Sequence, residues 1–265
     1  MGVKSPITLK ELKALFDNYN FTKLTATKDG VIDTTYIAST DERSYILKRY
    51  ERDIQQRVAH DSALLHQLSS TLNVPYLIDS KEGWYLYKRL KGSSPKTISY
   101  HHIQLLARFM AKLHQRSLYI KERPSFVGSY PIEGILNDTK RSFFAHYKKL
   151  EMLKGYNPPC DGFIHGDIFR DNTIFSESKI GIFDFIDGGC GSFAFDIAVA
   201  LLDFNKTNKP SYNRLFLRTY NQCSKKRFTL QEIQQSRVVA AKFYGLLRID
   251  NYKNTKKANE LIRYI

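Results

Sequence analysis

Between Ile164 and Phe175 the sequence reads IHGDIFRDNTIF, a histidine, two aspartates, an arginine and an asparagine set among apolar residues that would otherwise read as strand. An apolar frame holds ionisable groups in fixed geometry, which metal and proton chemistry require. Asp167 can orient an attacking hydroxyl and accept its proton. Asn172, with Asp184 of the following KIGIFDF, can supply oxygen ligands that hold Mg²⁺ on nucleotide phosphates. A short hairpin through TIF and back through KIGIFDF would return Asp184 close to Asn172. An amide beside a carboxylate binds the cation without surrounding a transferring phosphoryl group with excess negative charge.

These residues need a scaffold, and the flanking patterns supply one. Thr8 and Glu11 have capping-box spacing, and Leu9, Leu12 and Phe16 recur at helical intervals behind them. VIDTTYIAS (Val31 to Ser39) and SYILKRY (Ser44 to Tyr50) are rich in β-formers and joined by TDER, which predicts a hairpin. Gln55 to Leu72 reads as a helix with Val58, Leu65, Leu68 and Leu72 on its apolar face and Asp61 on the edge, and WYLYKRL after KEG reads as a strand. GSSP, Gly92 to Pro95, reads as a linker and places a boundary between residues 1–91 and 92–265. Beyond it the period turns helical, with Ile103, Leu106, Met110 and Leu113 on one helix and Ile233, Val238, Phe243 and Leu247 on another. GFIHG, TIF and KIGIFDF are short strand-like pieces within that helical remainder.

The 265 residues are enough for one large domain or two closely packed ones, and a hydrophobic content of 42% marks the chain as globular. Lys and Arg total 41 against 26 Asp and Glu, a formal net charge of +15 that attracts anions such as nucleotides, nucleic acid or acidic lipid. The basic residues are dispersed rather than gathered into a tract, which argues against nucleic acid as the partner. Cys160, Cys190 and Cys223 are too few and too irregularly spaced for a disulfide framework or a zinc site, so a reducing cytoplasm is the simplest reading. No signal core opens the sequence, and the longest apolar stretches, such as Ile197 to Leu202, are too short to span a bilayer, so no membrane association is expected.

HGDIFRDN followed by IFDF resembles the H-G-D-x-x-x-x-N motif and downstream D-F pair of the aminoglycoside phosphotransferase and choline kinase superfamily, relatives of the protein kinases. GVIDTTY, YILKRYE, FDIAVALLDF and AAKFYGLLRID, in the same order, are similar to motifs of its homoserine kinase branch. The resemblance implies an α+β, protein-kinase-like bilobal fold. The strand-rich lobe of residues 1–91 would bind ATP, and the helical lobe of residues 92–265 would carry catalysis and the acceptor. It implies Asp167 as catalytic base, Asn172 and Asp184 as Mg²⁺ ligands and His165 as a brace of the loop. Lys48 would hold the α and β phosphates, with Asp61 as its acidic partner where kinases usually carry the longer Glu. Gly30 falls in the loop expected over the phosphates, though the loop lacks the repeated glycines of protein kinases.

Taken singly, several residues have plainer readings. Asp61 could pair with Arg57 at the surface, and Gly188 to Gly191 read as a tight turn. Asp196, opening an apolar helix, suits the positive end of a helix dipole and could also bond the catalytic loop. Arg170 could neutralise phosphate. The leading acceptor is L-homoserine, whose ammonium would want an acid such as Asp187 or Asp203 and whose carboxylate a base such as Arg170 or Arg248. Choline, ethanolamine, an aminoglycoside or a sugar are other small hydroxyl acceptors. A pseudokinase or a basic nucleic-acid-binding protein would be a different class.

Overall fold

Thr8 opens helix α1 (Leu9–Leu15): its hydroxyl accepts the Glu11 N–H at 3.2 Å, and the Glu11 carboxylate accepts the Thr8 N–H at 2.7 Å, the reciprocal box expected from their spacing. The computed structural model describes residues 3–27, 33–118, 120, 123–252 and 255–262. The chain divides into two compact units, Met1–Lys91 and Gly92–Ile265.

In the first unit α1 is followed by β1 (Lys23–Ala26), β2 (Thr34–Ser39), β3 (Ser44–Arg49), α2 (Gln55–Ser69), β4 (Leu77–Lys81) and β5 (Trp84–Lys88). The strands form one antiparallel sheet in the order β1-β2-β3-β5-β4. Ser39 pairs with Ser44, so β2 and β3 are the hairpin predicted around TDER. Alternate residues share one sheet face, and Tyr36 and Ala38, Tyr45 and Leu47, Trp84 and Leu86 bury theirs against Leu12, Phe16 and Phe21. Sequence reading missed β1 and β4, short strands whose residues are mostly exposed or half-buried and show little apolar alternation. Asp61 was expected on the edge of α2. It is 3% exposed and shares the buried side with Val58, Leu64, Leu65 and Leu68, so its carboxylate is not at the surface.

The second unit runs α3 (Tyr100–Ser117), α4 (Ile132–Ser142), α5 (Phe144–Leu150), β6 (Gly162–Ile164), β7 (Thr173–Phe175), β8 (Ile180–Ile182), β9 (Gly189–Gly191), α6 (Phe193–Phe204), α7 (Pro210–Cys223), α8 (Leu230–Tyr252) and α9 (Thr255–Ile262). In α6 every residue but Asp203 is buried, which is why its sequence is apolar all round; it packs on α8, while α3 packs on α7. β7 and β8 are the expected hairpin, Thr173 opposite Ile182.

Three expectations change here. GSSP is no free linker: Ser93 and Phe175 exchange backbone hydrogen bonds at 2.9 and 3.0 Å, and the Ser94 hydroxyl donates to the Thr173 carbonyl at 2.6 Å, so the segment extends the β7 edge. The glycines at 188–191 are more than a turn, because Gly189–Gly191 form β9, paired with β6. Cβ atoms at 188, 189 and 191 would strike Phe163, the Pro124 carbonyl and Ile164, so only glycine lets these backbones approach. That pairing also joins Cys160 to Cys190 as a disulfide with Cα atoms 5.3 Å apart, a single bridge that spacing gave no reason to expect. Among the described residues no helix is long and apolar enough to cross a membrane.

Candidate active site

The residues following β6 owe their position to one carboxylate. Asp196, wholly buried in the first turn of α6, accepts the Gly166 N–H at 2.7 Å through Oδ1 and the His165 N–H at 3.4 Å through Oδ2. His114 of α3 meets the same carboxylate, with Nε2 3.0 Å from Oδ2. The imidazole is held in turn by the Tyr220 hydroxyl, 2.8 Å from Nδ1, and by stacking on Phe193 with ring centroids 4.2 Å apart. A buried carboxylate is costly unless its oxygens are satisfied, and these three partners satisfy it.

The turn so anchored directs Asp167. Gly166 has φ +77°, and a Cβ there would run into the Phe126 ring, so glycine is required twice over. The Asp167 N–H donates to His165 Nδ1 at 3.2 Å, which leaves the ring proton on Nε2 to donate to the Phe183 carbonyl at 3.0 Å. Both His165 nitrogens are therefore occupied by backbone. The Asn172 amide donates to the Asp167 carbonyl and to its Oδ2, both at 2.9 Å, fixing the rotamer of the carboxylate. Burial raises the Asp167 pKa, and the charges of Asp171 and Asp184 add to that, against opposing contributions from His165 and Asn172. A carboxylate with a raised pKa is the better proton acceptor.

Asn172 ends a 3₁₀ turn, Arg170–Asn172, that leads into β7, and its carbonyl accepts the Phe183 N–H at 3.1 Å just beyond β8. The hairpin thus brings Asp184 back beside Asn172. Asp184 is exposed and has φ 69°, the left-handed region that aspartate tolerates better than most residues. The amide oxygen of Asn172 and the carboxylate of Asp184 form a hard-oxygen pair that fits a divalent cation completed by phosphate and water. Among the described residues no group of three or more His, Cys, Asp or Glu forms a metal cluster.

Arg170 and Asp203, expected to serve phosphate and ammonium separately, bind each other. Asp203 Oδ2 accepts from Arg170 Nε at 2.9 Å and from its backbone N–H at 2.8 Å, while Oδ1 accepts from Nη2 at 3.0 Å and lies 3.3 Å from Lys206 Nζ. Burial alone would raise the Asp203 pKa, but these bonds outweigh it and the net direction is down. The fork fixes the far end of the Asp167–Asn172 loop to α6. Arg248, on α8, lines a cavity of about 210 Å³ together with Asp203 and Phe169. Asp187 is half-buried in the turn before β9. In the first unit Lys48 lies on β3 with its ammonium 5.0 Å from the Tyr50 ring centre, and Asp61 is buried on α2. Gly30 lies outside the described residues.

Two residues of α8 escaped sequence reading. The Tyr244 hydroxyl donates to the Gly166 carbonyl, and its ring meets Phe169 edge to face at 5.1 Å. Burial, then the nearby Asp167 charge, keeps that hydroxyl protonated well above the usual range. Arg237, 3% exposed, lines the same cavity as Arg248. Of the predicted apolar face of this helix, Ile233 and Phe243 are buried as expected, while Val238 and Leu247 are half-buried and Arg237, Ala240, Ala241 and Tyr244 are buried instead. A signal was present, because Ile233, Arg237, Ala240, Tyr244 and Arg248 recur at helical intervals and put two arginines on a buried stripe.

An antiparallel-sheet unit and a helical unit with an Asp–Asn–Asp ribbon define a protein-kinase-like fold, and solved structures bear this out. Macrolide 2′-phosphotransferase from Brachybacterium faecium superposes with a TM-score of 0.70 at 18% identity, covering 97% of this chain and 98% of that one. Choline kinase from Cryptosporidium parvum Iowa II gives 0.69 at 13% identity, covering 92% and 88%. An amicoumacin kinase solved with AMP-PNP and Ca²⁺ gives 0.66 at 15% identity, covering 97% and 94%. The homoserine kinase of Polaromonas naphthalenivorans (strain CJ2) is 26% identical over 231 residues, 77% of this chain and 73% of its own. Residues 23–233 match the model of the phosphotransferase enzyme family, and the chain belongs to that family as a small-molecule kinase.

Proposed function

We propose that the protein transfers the γ-phosphoryl group of ATP to the hydroxyl of L-homoserine. The observation that carries the phosphoryl-transfer part is the Asp167 carboxylate, locked by the Asn172 amide at 2.9 Å and made more basic by its burial. The acceptor part is supported by the similarity to homoserine kinases, which extends over 77% of the chain.

In this reading Asp167 aligns the acceptor hydroxyl and takes its proton as the oxygen attacks. His165, Asp196 and Tyr244 hold the backbone on either side of it, so the carboxylate is positioned before substrate arrives. Asn172 and Asp184 would hold Mg²⁺, for which their donor set is suited. When bound, the cation neutralises charge on the nucleotide phosphates. Lys48 contributes a cation to those phosphates, and buried Asp61 is assigned as the acid that orients it.

The test is ADP release from ATP, with and without Mg²⁺, against L-homoserine, choline, ethanolamine and kanamycin. Turnover that needs both Mg²⁺ and L-homoserine and falls about 10³-fold in Asp167→Asn is the expected result. Preference for another acceptor removes the homoserine assignment, and full activity in Asp167→Asn removes the base.

A further inference from the structure

The buried guanidinium of Arg237 is only partly satisfied. It lies in α8 with 3% exposure, and Nη2 donates to the Asn205 carbonyl at 2.7 Å. The N–H groups of Nε and Nη1 are buried and have no partner among the described residues. Buried donors are nearly always paired, and leaving a charged one unpaired costs more than leaving a neutral one. Burial lowers its pKa to about 10, so the group is still a cation at neutral pH. It therefore lacks an anion rather than a proton.

The space beside it suits a small one. Arg237 lines the cavity of about 210 Å³, below the roughly 300–1,000 Å³ of pockets for drug-sized ligands. Lys206 and Arg248 add positive charge to the lining, and of its two acids Asp203 is already matched by the Arg170 fork. The other acid in the lining is Glu260 on α9. One wall is Phe169, whose N–H donates to the Asp167 carbonyl at 2.9 Å, so the cavity adjoins the loop that carries the base.

We infer that Arg237 is the specificity residue of the acceptor site, taking the carboxylate of a small hydroxylated amino acid in the cavity between α6, α8, α9 and Phe169. This rests on the acceptor reading above and deepens it: an acceptor without a carboxylate leaves a buried cation uncompensated. Sites built around a buried polar partner discriminate strongly against analogues that lack it. Arg248, three turns further along α8, belongs to the same lining but is half-buried and has a lesser part.

The experiment compares kcat/KM for L-homoserine and 3-amino-1-propanol, the same skeleton without the carboxylate, in wild type, Arg237→Lys and Arg237→Gln. The expected result is a strong wild-type preference for L-homoserine that shrinks about 100-fold in Arg237→Gln and less in Arg237→Lys, which keeps the charge. A merely structural role would lower both substrates together and leave the ratio unchanged, which would overturn the inference. A second measurement needs no turnover: 4-hydroxybutyrate should raise the unfolding temperature of the wild type and have less effect on Arg237→Lys. Equal shifts in both proteins, or a shift with inorganic phosphate and none with 4-hydroxybutyrate, would refute the carboxylate site. An Arg237-dependent 4-hydroxybutyrate shift without L-homoserine turnover would uphold the carboxylate site and discard the homoserine reading instead.

Discussion

Replacing Asp196 tests whether one buried carboxylate organises the loop that carries Asp167. Asp196→Ala strands the Gly166 N–H, which now donates at 2.7 Å, and the His114 Nε2, now 3.0 Å from the carboxylate, both in a fully buried setting. Each buried group left without its partner costs about 1–3 kcal/mol. The cavity left behind adds to this, so a loss of about 4 kcal/mol is expected. Asp196→Asn keeps an oxygen for Gly166 and lets the His114 ring exchange tautomers, which confines its loss to about 1–2 kcal/mol. Urea unfolding followed by far-UV circular dichroism reads this difference, since the helices concentrate in the second unit and the lone Trp84 belongs to the first. With a slope of about 2–3 kcal/mol/M, the Ala midpoint should fall by about 1.5 M and the Asn midpoint by about 0.5 M. Activity should fall in both, because a loop displaced by an ångström can cost about 100-fold. Equal midpoints for Asp196→Ala and wild type would refute the argument, as would Asn and Ala losing the same amount.

Other substitutions probe the neighbouring constraints. Gly166→Ala forces a side chain into the left-handed region and against Phe126, so thermal unfolding should show a loss of about 2–4 kcal/mol. For Asp203 the folded pKa is depressed, so the Arg170 pair stabilises the fold above the usual carboxylate pKa and loses that effect as pH falls through the folded value. Asp203→Asn should accordingly be less stable than wild type at pH 7, with the gap narrowing towards pH 3 in a melting series; a constant gap contradicts the assignment. The Cys160–Cys190 bridge joins residues at a sequence separation of 30 and closes a loop holding Asp167, Asn172 and Asp184, so dithiothreitol should lower wild-type stability by about 3 kcal/mol. Cys160→Ser should be insensitive to the reductant, and equal sensitivity of the two proteins would sink the prediction.

The legible parts of the protein were those whose signal is local. Thr8 and Glu11 form a cap three residues apart, the hairpin around TDER is set by alternation and its turn, and Ile103, Leu106, Met110 and Leu113 mark a face by their period alone. Residue order along IHGDIFRDNTIFSESKIGIFDF was enough to propose that Asn172 and Asp184 would meet, because a hairpin between them is short. What could not be read depends on contacts between distant segments. The Arg170–Asp203 fork, the Asp196–His114 pair across 82 residues and the Cys160–Cys190 bridge exist because packing brings their elements together. Arg237 shows the limit most clearly: its charge suggests a surface, while α6 and α9, packing with α8, enclose it beside Phe169. Sequence by itself determined which groups are candidates for the chemistry, through residue type and short-range spacing. Only tertiary structure decided which charges are buried and which of their bonds stay open, since solvent exclusion belongs to the packed chain and not to any one segment of it.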